Sequence, residues 1–203
     1  RSGDTVTVFS GTYFQENQAP SKTDPDAGIK PKTGVTWLGI NAVLDQENAV
    51  TSGFAITNQD DVKIIGFEIT NAGVGITGRG VNWEIAENYI HNTTGGAISI
   101  NGGPKTSPPS SAWGADGIWI HHNKFWRNCK GNYDARSAVS VLMCADYDGV
   151  GLSREYGSDF GSVVTDNECS GCGYQAWDKN SADQNGYIFD RIDNKGYAHN
   201  SGN

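Results

Sequence analysis

The chain has 203 residues, with 15 basic and 23 acidic side chains and a net charge of −8. That length suits one domain, and the negative balance argues against a nucleic-acid binder, which needs a basic face for phosphates. Twenty-seven glycines, a single methionine and few helix formers exclude coiled coils and helical bundles and point to many short strands joined by turns. No apolar stretch approaches the ~20 residues of a membrane span.

In chain order, Arg1-Ser-Gly-Asp-Thr-Val-Thr-Val-Phe9 reads as a turn feeding a strand. No targeting segment is legible. The last residues, Tyr197–Asn203, stop inside what looks like a repeated unit, so both ends are expected to be trimmed from a longer chain. Four segments between these ends align: 62–73, 83–96, 118–131 and 162–173. A fifth, 187–200, aligns more loosely. Each holds a short alternating strand, a polar turn that usually carries Asn, another apolar position, and then Asn or Gly. The third residue of each unit marks the repeat: Ile64, Ile85, Ile120, Val164 and Phe189. A second short strand follows at 74–77, 97–100, 138–141 and 174–177.

Such repeats predict a solenoid, because one unit cannot bury its apolar face alone and stacked units bury a continuous column. Parallel stacking sets like side chains above like at ~4.8 Å. Ile69, Ile90, Phe125 and Cys169 are expected in one inward row. Asn88, Asn123, Asn167 and Asn194 are expected in another at the turn, sharing their amides and tolerating left-handed backbone. An antiparallel sandwich is the other reading of the strand spacing. Against it, two-residue hairpin turns are few and the repeat keeps its phase across insertions.

Gly3-Asp-Thr-Val-Thr-Val-Phe-Ser-Gly-Thr-Tyr13, Gly28–Trp37 and Asp116-Gly-Ile-Trp-Ile-His-His-Asn123 carry a resemblance to the right-handed parallel β-helix superfamily, which includes pectate-lyase-like proteins. The resemblance covers nearly the whole chain and concerns architecture. It implies an all-β, single-domain right-handed parallel β-helix with loop insertions on one edge. The amphipathic N-terminal helix that usually caps that fold is missing from the sequence.

Three insertions, residues 101–116, 145–161 and 178–186, are expected to leave successive units at one turn and to form one wall of a groove. Loops on a rigid scaffold are where binding and catalysis concentrate. The loops carry Asp146, Asp148, Asp159 and Asp178, a carboxylate density suited to Ca²⁺. Trp113, Trp126, Tyr156 and Trp177 lie in or beside them and suit the apolar faces of sugar rings. Cys129 and Cys172 fall at near-equivalent turns one unit apart and are expected to pair. Cys169 is either a buried thiol or a partner for Cys144, and zinc on Cys169-x-x-Cys172 is the lesser alternative. Disulfides imply a secreted or cell-surface setting. Strand alternation is expected to point one of His121 and His122 inward and the other outward.

The resemblance implies a polysaccharide-active enzyme, foremost a calcium-assisted lyase that cleaves a uronic-acid polymer by β-elimination. Ca²⁺ on Asp146, Asp148, Asp159 and Asp178 would neutralise the substrate carboxylate, and Lys179, Arg154 or Lys130 would remove the proton. The alternatives are a glycoside hydrolase with paired carboxylates, such as Asp146 with Asp166 or Asp178, and a non-catalytic carbohydrate-binding or adhesin-like protein.

Overall fold

The computed structural model describes residues 2–14, 28–47, 52–57, 59–101, 115–116, 118–128, 139–142, 163–170 and 187–190. Among the described residues there are sixteen strands and no helix, and every strand pair is parallel. That excludes the antiparallel sandwich. The strands form two sheets around one apolar core.

The first sheet holds β1 (Thr5–Val8), β2 (Gly11–Phe14), β3 (Thr36–Asp45), β5 (Lys63–Thr70), β7 (Glu84–Ala86), β8 (Tyr89–His91), β11 (Trp119–His121), β12 (Lys124–Trp126), β14 (Val163–Thr165) and β15 (Glu168–Ser170). The second holds β4 (Ser52–Thr57), β6 (Val74–Val81), β9 (Ile98–Asn101), β10 (Ala115–Asp116), β13 (Val139–Leu142) and β16 (Tyr187–Asp190).

In the first sheet each unit contributes two short strand segments joined at a bend. Ile64, Ile85, Ile120 and Val164 share one register across β5, β7, β11 and β14. Ile69, Ile90, Phe125 and Cys169 share another across β5, β8, β12 and β15, and the first three are buried. The expected alignment of Ile69, Ile90, Phe125 and Cys169 is therefore present. At the bend one residue takes a left-handed conformation: Gly66, Glu87, His122 and Asp166, with φ between 54° and 77°. The asparagine follows that residue instead of occupying it. The bend lets the strand turn while Phe67, Asn88 and Asn123, the next residues, still face the core.

Asn88 and Asn123 are buried, and their amides link the units. Asn123 Nδ2 donates to the Ile85 carbonyl at 2.8 Å, and its Oδ1 accepts from the Asn88 backbone N–H at 3.0 Å. Asn167 repeats the pattern, with Nδ2 donating to the Ile120 carbonyl at 2.9 Å and Oδ1 accepting from the Asn123 N–H at 2.9 Å. Asn194 lies outside the described residues. A second bend behaves similarly: Asn71, Asn92 and Arg127 are left-handed, and Asn128 Oδ1 accepts from Thr93 Oγ1 at 2.9 Å.

The second sheet corrects one expectation. Ile76 pairs with Ile98, and Ile100 with Val141, as the repeat requires. Phe189, however, pairs with Val141 in this sheet, not with Val164 in the first. The neighbour of β13 in this sheet is therefore Tyr187–Asp190. The expected one, 174–177, lies outside the described residues. The three insertions lie almost wholly outside the described residues.

Candidate functional site

Alternation along β11 and β12 sends Ile120 and Phe125 into the core, and Trp119 and Trp126 out of it. Both indoles therefore stand on the outer face of the first sheet, 46% and 37% exposed. Trp119 stacks on His121, with ring centroids 3.8 Å apart and an interplanar angle of 29°. His121 is only 8% exposed although it points away from the core, because the indole covers it. The expected inward–outward split of His121 and His122 is thus replaced by two outward rings. The left-handed backbone of His122 (φ 54°) swings its ring round to meet His121 edge-on, with the two Nδ1 atoms 2.8 Å apart.

Under Trp119, His121 Nε2 donates to Glu84 Oε1 at 3.4 Å, and Lys63 Nζ donates to Glu84 Oε2 at 2.6 Å. The Lys63 hydrogen bond is the main reason the Glu84 carboxyl sits below its ordinary range; partial burial opposes it, while the Lys63 charge and His121 add to it. A depressed folded pKa contributes stability above the unfolded value, about 4.3 for Glu, that disappears as pH falls through the folded value. Lys63 is half exposed, so the contribution is well under ~1 kcal/mol. Glu84→Gln is expected to lower the urea midpoint slightly at pH 7, and the gap from wild type should close below about pH 4.

A second cluster stands one strand further along. His91 Nε2 donates to Glu68 Oε1 at 3.1 Å. Its Nδ1 accepts from Asn92 Nδ2 at 2.8 Å and lies 3.2 Å from Thr70 Oγ1. Tyr89 stacks on the His91 ring at 4.3 Å, and the Trp126 ring lies 6.1 Å away beneath the Arg127 guanidinium, itself 4.8 Å from the indole. Both His91 nitrogens are engaged within the protein. This residue braces the strands and is poorly placed to take a proton from a ligand. Trp119, held flat yet open, is the better platform for the apolar face of a sugar ring.

Of the residues expected to act, Trp126 and Asp166 are among those described, and Trp126 lies on this outer face. Lys179, Arg154, Lys130, Trp113, Tyr156, Trp177, Asp146, Asp148, Asp159 and Asp178 lie outside the described residues, as do Cys129, Cys144 and Cys172. Asp166 is exposed at its bend. Among the described residues no three His, Cys, Asp or Glu side chains converge on one point, and no helix is long and apolar enough to cross a membrane. Trp119, Glu84 and Glu68 are not signalled by the composition of the loops; the alternation Trp119-Ile120-His121 is the signal that places Trp119 outside.

No curated protein and no solved structure matches the sequence. Residues 6–176 match the family described as protein of unknown function (DUF1565). That span is well over half of the chain, which therefore belongs to the DUF1565 family.

Proposed function

We propose that the chain is a single-domain right-handed parallel β-helix over residues 1–203, secreted or displayed at the cell surface, that binds a polysaccharide along the outer face of its first sheet. The parallel registers, the recurrent left-handed bends and the single core support the architecture. The observation that carries the function is Trp119: its ring lies on His121 at 3.8 Å and is still 46% exposed. A pre-set aromatic plane loses little side-chain entropy on binding, which suits a ring ligand. Trp126, on the next strand of the same unit, extends the surface.

The activity we favour is calcium-assisted β-elimination on a uronic-acid polymer, with Ca²⁺ on Asp146, Asp148, Asp159 and Asp178 and Lys179, Arg154 or Lys130 as the base. Support comes from the superfamily resemblance and the loop composition. A non-catalytic carbohydrate-binding or adhesin-like role is the second reading, favoured by a platform that needs neither metal nor base.

Trp119→Ala is expected to weaken binding of the preferred polysaccharide about tenfold, equivalent to ~1.4 kcal/mol. Trp126→Ala should cost less, because Arg127 already covers its ring. Affinity electrophoresis over a panel of uronic-acid polymers measures both. Absorbance near 235 nm, with calcium and then chelator, reads the unsaturated product. Calcium-dependent growth supports the lyase, whereas a flat trace with binding intact supports the second reading. Binding that ignores Trp119 would remove the platform altogether.

A further inference from the structure

We propose that His121 and His122 form the nitrogen half of a binding site for a divalent transition metal, Cu²⁺ or Zn²⁺, on the outer edge of the first sheet. Neighbouring residues of a regular strand face opposite ways. Here the left-handed turn at His122 brings the two Nδ1 atoms within 2.8 Å. Glu84 accepts from His121 Nε2, and the Lys63 hydrogen bond keeps that carboxyl ionised. The ring proton of neutral His121 therefore sits on Nε2, and its Nδ1 presents a lone pair. A carboxylate behind a ligating imidazole is the usual outer partner of a metal-bound histidine.

The 2.8 Å contact is a hydrogen bond, with one proton between the two Nδ1 atoms. That proton sits on His122 Nδ1 when no cation is present. A metal would displace that proton: two ligands at 2.0–2.1 Å in tetrahedral geometry stand about 3.4 Å apart. Opening the contact by roughly half an ångström reaches that spacing, and His122 is exposed and free of the core.

The stacking of units adds oxygen ligands. Glu87 and Asp166 occupy the register of His122 on the units to either side, with φ 57° and 54°, and both are exposed. Their backbones lie about 4.8 Å from that of His122. Neither carboxylate converges with the two imidazoles as the side chains stand, so a rotamer change would bring one of them onto the metal, with water filling the remaining position. Nitrogen donors favour Cu²⁺ over Zn²⁺ and both over Ca²⁺.

Trp119, stacked on His121, reports occupancy. The test titrates the full chain with CuCl₂, then ZnCl₂, by calorimetry and by tryptophan fluorescence, with no glycan present, so its outcome is separate from the polysaccharide reading. One equivalent of Cu²⁺ is expected to quench the fluorescence, and Trp119→Phe should remove most of that signal. His122→Ala should weaken this binding at least tenfold without changing the melting curve. Glu84→Gln should weaken it about tenfold through His121, and Glu87→Gln and Asp166→Asn less. Comparing variants cancels any metal held by cysteines. Affinity should fall as the solution is acidified, since protons compete for the same lone pairs. The proposal is overturned by the absence of quenching up to millimolar Cu²⁺, or by binding that His122→Ala leaves unchanged.

Discussion

Replacing Asn123 by Leu is expected to lower the stability of the chain by about 3–5 kcal/mol, a large part of the ~5–15 kcal/mol that holds a domain folded. The side chain is buried and fully used. Its Nδ2 donates to the carbonyls of Ile85 and His121 at 2.8 and 3.0 Å, and also lies 2.9 Å from Asn167 Oδ1. Its Oδ1 accepts from the Asn88 backbone N–H and side chain, both at 3.0 Å. Leucine has similar volume and fills the space, so the cost is not a cavity. It is the desolvated Asn88 N–H and Ile85 carbonyl left without this partner, at about 1–3 kcal/mol each. Asn123→Asp keeps the acceptor but aims a carboxylate at two carbonyls, and should be no better. Asn82→Ala serves as the control: it removes an exposed bond, Nδ2 to Asp61 Oδ1 at 3.2 Å, at a left-handed position (φ 57°), and should cost about 1–2 kcal/mol. Urea unfolding of the three variants measures the contrast. Equal, small losses for Asn123→Leu and Asn82→Ala would mean that the ladder does not hold the units together.

That ladder was legible in the sequence for a physical reason. Asn88, Asn123 and Asn167 each follow an alternating apolar strand and precede an apolar residue two positions on, a pattern few other arrangements satisfy. The conformation at the bend was less legible. Asparagine tolerates a left-handed backbone, so it was the natural choice for that role. The structure assigns it to Glu87, His122 and Asp166, because the asparagine must keep its side chain in the core. Phe189 was misplaced for a related reason. Tyr-Ile-Phe-Asp alternates like strands of either sheet, and the length of the preceding insertion does not reveal which sheet comes next. The candidate site was read in the acidic loops. On the described residues it is instead a flat strand face, where Trp119 and His121 look like ordinary strand residues until the stacked registers bring Glu84 and Lys63 beside them.

The second large effect is expected at Gly78, in the middle of β6, where alanine should destabilise the chain by about 3–5 kcal/mol. The backbone there has φ of +149°, a region that side-chain-bearing residues rarely adopt. An added methyl would stand 1.9 Å from the Ile56 carbonyl oxygen and 2.7 Å from its carbon. Those are backbone atoms of β4, paired in register with Gly78 on one side while β9 pairs on the other through Ile100. Neither neighbour can retreat without breaking ladder hydrogen bonds, so the strain stays local and large. Gly3→Ala separates the two causes. Gly3 also has positive φ, +88°, but nothing lies within 4 Å of an added methyl. That substitution carries conformational strain alone, about 1–2 kcal/mol. The difference between the two variants isolates the clash with Ile56, and thermal or urea unfolding reads it directly. β6 belongs to the second sheet, away from Trp119 and the His121–His122 pair. The folded fraction of Gly78→Ala should therefore keep the glycan and metal affinities of the wild type while losing stability. A glycan or copper affinity that falls in step with stability, after correction for the unfolded fraction, would mean that the outer face depends on the path of β6.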